Sequence, residues 1–124
     1  MNTLSKKSIQ KLNTCHSDLK RLIKTVALEE KCAVICGFRG RYEQEKAYYD
    51  GKSKAKWGMS KHNLKPSQAV DVVPLPLDWN NIERFEKLGR KIMQKADELN
   101  INIKWGRDFK GLKDYPHFEL NTDI

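Results

Sequence analysis

The segment SKHNLKPSQAVDVVP, residues 60–74, joins a turn-rich loop to a short apolar run that ends at Pro74. The run 69–73 contains three valines and follows turn residues, so the pattern predicts a buried β-strand. Asp71 lies in the middle of that run. Burying a carboxylate is costly unless a cation, a metal ion or several hydrogen-bond donors compensate its charge. The segment therefore predicts a core strand whose acid is either a metal ligand or held by backbone donors.

Two histidines and a second aspartate are candidates to complete a site around Asp71. His62 lies nine residues before it in the loop, and His117 begins a second short apolar stretch with Asp114 three residues earlier. Two histidines and one aspartate suit a catalytic zinc ion that keeps a fourth position for water. A further carboxylate nearby can act as general base. Spacing alone leaves open whether these side chains meet.

These pieces together resemble the LAS group of zinc peptidases. That group comprises D-alanyl-D-alanine carboxypeptidases, vancomycin-resistance dipeptidases and phage L-alanyl-D-glutamate peptidases, and the short phage endolysins are the most similar. The resemblance extends from about Leu12 to Leu120. It is carried by these short blocks: residues 37–39 (GFR), Gln44, 60–62 (SKH), 69–71 (AVD), 105–109 (WGRDF) and Asp114-x-x-His117.

The resemblance implies an α+β fold, in which two or three helices pack against a small antiparallel sheet that carries the zinc site, as in LAS and hedgehog-like domains. It implies one zinc ion per chain, with His62, Asp71 and His117 as ligands. It also implies Asp114 as the general base. Glu119 is the competing base, because a regular strand would place it on the face of His117, but we expect it to support the ligands instead.

The resemblance further implies that Arg39 binds substrate or stabilises the oxyanion, and that Gln44 and Ser60 contact the substrate in the groove. Without it, a surface salt bridge would be the simpler interpretation of Arg39. Two departures concern the groove. The loop 63–68 is longer than in many members and has no glycine, and Gly106-Arg107 stands where many have two glycines.

The activity that the resemblance implies is hydrolysis of the L-alanyl-D-glutamate bond in peptidoglycan stem peptides by a phage or prophage endolysin. A D-alanyl-D-alanine carboxypeptidase of the same group is the nearest alternative. We expect residues 1–124 to form a single peptidase domain without a cell-wall-binding module, and the protein to be a monomer. Because the N-terminus has no apolar signal segment, we expect it in the host cytoplasm, with a holin providing release.

The composition is that of a basic globular domain. The 124 residues include 24 Lys and Arg against 16 Asp and Glu, for a net charge of +8. This balance suits nucleic acid, an anionic membrane or an acidic polymer such as peptidoglycan. A non-catalytic nucleic-acid-binding module is therefore an alternative, and the loop 51–65, with five lysines and Trp57, would serve it. That alternative leaves the histidine and aspartate pattern unexplained, so we expect a solvated loop and no nucleic-acid partner.

Hydrophobic periodicity predicts the remaining elements. We expect a helix capped by Ser17 or Asp18, with one apolar face formed by Leu19, Leu22, Ile23, Val26 and Ala27. Further along the chain we expect a strand over 32–38, a helix within 39–50, the longest helix over 81–99, a strand over 101–105, a loop over 106–113 and a last strand from 117.

Three cysteines and one further histidine are expected to be structural. Cys15, Cys32 and Cys36 are odd in number and form no CxxC pair, so we expect reduced thiols that pack as small apolar residues and do not bind zinc. His16 precedes the first predicted helix, and we expect it to be a structural or surface residue.

Overall fold

The computed structural model describes residues 4–111 and 113–122, which form four α-helices and a four-stranded antiparallel sheet. The helices are α1 (Lys6–Leu12), α2 (Ser17–Ala27), α3 (Arg41–Tyr49) and α4 (Ile82–Glu98). The strands are β1 (Cys32–Cys36), β2 (Ala69–Pro74), β3 (Ile103–Trp105) and β4 (His117–Leu120), in the order β1-β2-β4-β3. Two short 3-10 helices, Lys61–Asn63 and Gly106–Asp108, interrupt the loops. The predicted α+β class is confirmed.

Helix α1 is an element that the sequence did not predict, and it brings the helix number above the expected two or three. Only two of its seven residues, Ser8 and Leu12, are buried, so it lacks a wide apolar stripe. Ser5 caps the helix, because its side chain accepts a hydrogen bond from the Ser8 N–H. The Ser8 hydroxyl in turn accepts from the Val34 N–H at 3.0 Å. The helix therefore covers the outer edge of β1 and provides a hydrogen-bond acceptor for one backbone N–H of that strand.

The cap of α2 differs from the prediction. The helix begins at Ser17, and His16 is its N-cap residue, with Nδ1 accepting from the Asp18 N–H at 3.0 Å. A neutral imidazole nitrogen carries a lone pair and can therefore replace the usual hydroxyl or carboxylate acceptor. His16 has a structural role, as expected, but Ser17 and Asp18 are not the cap.

Two predicted strands end earlier or begin later than expected. β1 ends at Cys36 because the chain then turns toward the α1–α2 connection, where the Phe38 N–H donates to the Thr14 hydroxyl at 2.8 Å. β3 begins only at Ile103, because the Ile101 N–H still donates to the carbonyl of Ala96 in α4, at 2.8 Å. Local hydrogen bonds that periodicity does not reveal therefore set both boundaries.

The core lies between the sheet and the helices, and Trp105 is its largest buried side chain. Its ring stacks on Phe118 of the neighbouring strand, with centroids 5.7 Å apart, a contact worth about 0.5–1.5 kcal/mol beyond area burial. A Cβ at position 89 in α4 would overlap this ring, so Gly89 allows the helix to approach the sheet closely. The packing fixes β3 and β4 against α4.

The pleat of the sheet separates the core from the candidate site. In β2, Val70 and Val72 belong to the core cluster, whereas Asp71 between them points to the opposite face. In β4, Phe118 belongs to the core and its neighbour His117 pairs with Asp71 across the strands. The polar residues of the motif therefore share one face of the sheet. In the described parts of the chain, no helix is both long and apolar enough to span a bilayer.

Candidate metal centre and active site

Three donor atoms converge on the polar face of the sheet. His62 Nε2 lies 3.1 Å from Asp71 Oδ1 and 3.2 Å from His117 Nδ1, and His117 Nδ1 lies 3.2 Å from Asp71 Oδ1. Ligands at about 2.0–2.1 Å from a tetrahedral zinc ion would be about 3.3 Å apart. The structure therefore brings together the three residues that the sequence proposed as ligands, at a spacing that fits such an ion.

Different elements deliver the three side chains. Antiparallel pairing of β2 with β4 sets Asp71 opposite His117. His62 comes from the 3-10 helix Lys61–Asn63, which Ser60 caps by accepting from the His62 N–H at 3.1 Å. The His62 carbonyl accepts from the Arg39 N–H at 2.8 Å, which ties this turn to the segment after β1.

The second nitrogen of each imidazole has its own acceptor. His62 Nδ1 lies 2.7 Å from the Gly37 carbonyl oxygen, and His117 Nε2 lies 2.8 Å from Glu119 Oε1. If those nitrogens carry the protons, the lone pairs of His62 Nε2 and His117 Nδ1 face Asp71. Fixing the tautomer through the opposite nitrogen is how proteins prepare histidine as a metal ligand. The donor set therefore fits a divalent metal.

The charges of His62, His117 and Asp71 depend on one another. Burial disfavours the charged imidazoles, but the hydrogen bonds to Asp71 outweigh it and raise the pKa of His62 to about 10 and that of His117 to about 9. Burial likewise opposes the charged form of Asp71, but the two histidines hold the pKa of its carboxyl well below the usual range. Without a metal ion, protons on the imidazoles balance the carboxylate.

Metal binding is therefore expected to strengthen steeply with pH. A histidine in the unfolded chain has a pKa near 6.5. Protonation of His62 and His117 therefore stabilises the metal-free fold fully below pH 6.5. This stabilisation is lost as the pH rises through their folded-state pKa values of about 10 and about 9. A metal ion must displace these protons, so its apparent affinity should rise at least about tenfold per pH unit between pH 6.5 and 8.5. Chelator competition in zinc-buffered solutions measures this slope. A flat profile would mean that both imidazoles are already neutral.

Arg39 lies next to the three donors. Its Nη2 is 3.7 Å from Asp71 Oδ2, the carboxylate oxygen that faces away from the histidines, and its Nη1 donates to Gln44 Oε1 at 3.1 Å. The guanidinium side chain is 19% exposed and lines the groove. The predicted position of Arg39 at the site is therefore observed, with a fixed positive charge beside the metal ligands.

Gln44 does not line the groove, contrary to the predicted substrate contact. Its side chain is fully buried, and its Nε2 donates to the Ala55 carbonyl at 2.7 Å and to the Ser53 hydroxyl at 3.1 Å. Its oxygen accepts from Arg39 and from Asn63. Gln44 therefore connects α3 to the two loops of the site and holds Arg39 in place. Ser60, in contrast, lines the groove, and it also caps the 3-10 helix that carries His62.

Asp114 is held close to His117 by a tight turn. Its N–H donates to the Gly106 carbonyl at 2.9 Å, and its own carbonyl accepts from the His117 N–H at 3.2 Å. A Cβ on Gly106 would overlap the Asp114 carbonyl oxygen, so glycine is required where the two segments touch. Burial and the nearby charge of Asp71 raise the pKa of the Asp114 carboxyl. A carboxyl with a raised pKa that lines the groove can exchange protons with a substrate.

The comparisons with known proteins agree on one family. A sequence model of the phage L-alanyl-D-glutamate peptidases matches residues 1–123. The chain belongs to this family. It is similar to the peptidoglycan L-alanyl-D-glutamate endopeptidase CwlK of Bacillus subtilis, with 33% identity over 98 residues, which cover 68% of this chain and 57% of that protein. The chain thus spans little more than half of this curated relative.

The fold of the chain is also that of a solved relative. The crystal structure of the Serratia marcescens L-Ala D-Glu endopeptidase ChiX superposes with a TM-score of 0.82 at 28% identity, covering 97% of this chain and 91% of that chain. The resemblance to LAS-type peptidases that the sequence indicated is therefore confirmed.

Cys36 is a residue at the candidate site that the sequence did not indicate. Burial raises the pKa values of the Cys15 and Cys32 thiols to about 11, consistent with the expected structural role. The Cys36 sulfur instead lies 3.6 Å from His62 Nδ1, and its ligand atom is within 4.8 Å of those of His62 and Asp71. The β1–β2 register, which sets Cys36 opposite Asp71 after a bulge, produces this proximity.

A groove of about 800 Å³ leads over the candidate site. One wall is apolar and includes Trp79, which stacks on Phe85 with centroids 5.4 Å apart. The loops on its rim contribute the lysines Lys52, Lys54, Lys110 and Lys113. The loop 51–65 thus lines the groove as well as delivering His62. Arg107 stands where many members of the family have a second glycine, and its guanidinium lies 4.0 Å from the centroid of the Trp105 ring.

Proposed function

We propose that this chain is a zinc-dependent peptidase that hydrolyses the L-alanyl-D-glutamate bond of peptidoglycan stem peptides. The observation that supports it most directly is the triangle of His62, Asp71 and His117 donor atoms, 3.1–3.2 Å apart, beside Asp114 in an open groove. The family match supports the choice of bond, as does the similarity to CwlK and ChiX, which are L-alanyl-D-glutamate endopeptidases.

The residues of the site have distinct roles in this proposal. His62, Asp71 and His117 would hold a zinc ion, which supplies Lewis-acid polarisation of the scissile carbonyl and lowers the pKa of water. The Asp114 carboxylate accepts a proton from the attacking water and passes it to the nitrogen of the leaving amine. Arg39 provides positive charge where the carbonyl oxygen becomes negative.

The charge of the groove supports an anionic substrate. Stem peptides carry carboxylates, and the groove rim places lysines on both of its loops. Among the residues that the structure describes, Lys52, Lys54, Lys110 and Lys113 have no ion pair with a protein carboxylate. A negatively charged peptide is attracted to such a rim at low ionic strength. In this proposal the protein acts as a phage or prophage endolysin that degrades the cell wall and lyses the host.

Product analysis tests the bond. The purified protein is incubated with peptidoglycan, with and without chelator, and the products are identified by mass spectrometry. We expect chelator-sensitive release of stem peptides beginning at D-glutamate, with lactyl-L-alanine left on the glycan. Release of terminal D-alanine alone would favour the carboxypeptidase alternative. If no product forms after zinc addition and the protein instead binds DNA in a salt-dependent manner, the peptidase proposal is wrong.

A further inference from the structure

A charged contact extends from the metal site to a lysine that no catalytic role accounts for. The Lys61 ammonium lies 3.2 Å from Glu119 Oε2 and donates to the Leu120 carbonyl at 2.6 Å. The other oxygen of the same carboxylate, Glu119 Oε1, lies 2.8 Å from His117 Nε2. Lys61, Glu119 and His117 therefore form a continuous chain that ends at a donor atom of the site.

Glu119 is restrained at both of its oxygens. One oxygen accepts from the imidazole and the other faces the ammonium, so rotation of the carboxylate would break at least one contact. The Lys61 and Glu119 side chains are only 23% and 16% exposed, so solvent screens this pair less than an ion pair on the surface. The orientation of the His117 ring thus depends on a carboxylate that Lys61 holds in place.

Lys61 also belongs to the turn that delivers the other histidine. It is the first residue of the 3-10 helix Lys61–Asn63, directly before His62, and its carbonyl accepts from the Gln68 N–H at 3.1 Å. The helix therefore positions both imidazoles: it carries His62 itself, and it reaches His117 through the lysine side chain. This arrangement couples the loop to β4, which is distant in the sequence.

We propose that Lys61 is a positioning residue for the metal site, which fixes Glu119 and thereby the His117 ring with Nδ1 directed at the metal position. The inference rests on the proposed function, because it assumes that His117 is a metal ligand. Partners that orient a ligating histidine typically change metal affinity about 10- to 100-fold when they are removed. Since Lys61 acts through Glu119, we expect its loss to weaken binding about tenfold.

Zinc affinity of Lys61→Met tests the proposal, because methionine keeps an unbranched apolar side chain and removes the charge. We expect about tenfold weaker zinc binding in chelator competition, and an altered visible absorption spectrum after cobalt substitution. Lys61→Arg should recover most of the affinity. Lys95→Met is the matched control: Lys95 in α4 is 17% exposed, pairs with Glu29 at 2.7 Å and does not line the groove, so its loss should leave both measurements unchanged.

A double-mutant cycle separates positioning from general destabilisation. Glu119→Gln keeps an acceptor for His117 but removes the partner of Lys61, so Lys61→Met should cost little further affinity in that background. Equal costs in both backgrounds, or wild-type affinity and cobalt spectrum in Lys61→Met, would overturn the proposal. Absence of zinc binding in the unmodified protein would instead contradict the proposed function. If Lys61→Met does not fold, Lys61→Gln, which also removes the charge, is measured in the wild-type and Glu119→Gln backgrounds and decides between the same outcomes.

Discussion

Asp114→Asn is expected to lower kcat/KM for stem-peptide hydrolysis by about 10²- to 10⁴-fold, the usual contribution of a general acid–base group. Asparagine has nearly the same shape but cannot accept and return a proton. The backbone turn should persist, because it is formed by the N–H and carbonyl of residue 114 and not by the side chain. Bound zinc should remain stoichiometric, since the carboxylate is not one of the three converging donors. Peptide assays and metal analysis on the same samples measure both effects.

Asp108→Asn is the control for this experiment. Asp108 is an exposed acid at the end of the 3-10 helix Gly106–Asp108, and it forms an ion pair with Arg107 at 3.0 Å. Its replacement removes a negative charge from the segment that precedes Asp114 but changes no residue of the groove. Near-normal activity is expected. If Asp114→Asn were also fully active, the assignment of the base would be wrong. Glu119 would be a poor substitute, because His117 and Lys61 already occupy its two oxygens.

The central strand of the site was predictable because its sequence pattern is local. An aspartate inside a valine-rich run indicates an unusual environment for the charge, and alternation along β2 places Asp71 opposite the core. Among the described residues, the partners of its carboxylate are two imidazoles and a guanidinium, not the backbone donors that were the alternative. The pairing of β2 with β4, which brings His117 to the same place, is a long-range contact that only the family resemblance indicated.

The features that the sequence did not reveal depend on contacts between different elements. α3 is polar on nearly all sides, so nothing in its pattern shows that Gln44 is its buried residue; the burial follows from hydrogen bonds to the loop 51–65. In the sequence, Cys36 looks like any small apolar residue of a strand. Only the bulge in β1 places it opposite Asp71. Lys61 lies in a lysine-rich loop, where a solvated side chain is the normal expectation. The partners of Cys36 and Lys61 are distant in the sequence, and those of Gln44 lie beyond the end of its own helix.

Asp71→Asn is expected to abolish zinc binding and to destabilise the metal-free protein. The carboxylate is the shared anionic partner of His62, His117 and Arg39, so its removal leaves buried cationic groups without compensation. Breaking a buried charge network by removing one partner costs about 3–5 kcal/mol. The loss should be largest near pH 6, where both imidazoles of the wild-type metal-free protein are charged, and smaller above pH 10, where they are neutral.

Denaturant unfolding of the metal-free proteins at the two pH values, together with zinc competition, measures these effects. Asp50→Asn is the matched control, because Asp50 pairs with Lys46 at 3.0 Å on the exposed end of α3, where such a pair is worth about 0–1 kcal/mol. The fold of the variant should survive, since Asp71 lies on the face of β2 opposite the core cluster. Wild-type zinc affinity in Asp71→Asn would show that Asp71 is not a zinc ligand. A stability loss that is equal at both pH values would show that the histidines do not share their protons with this carboxylate.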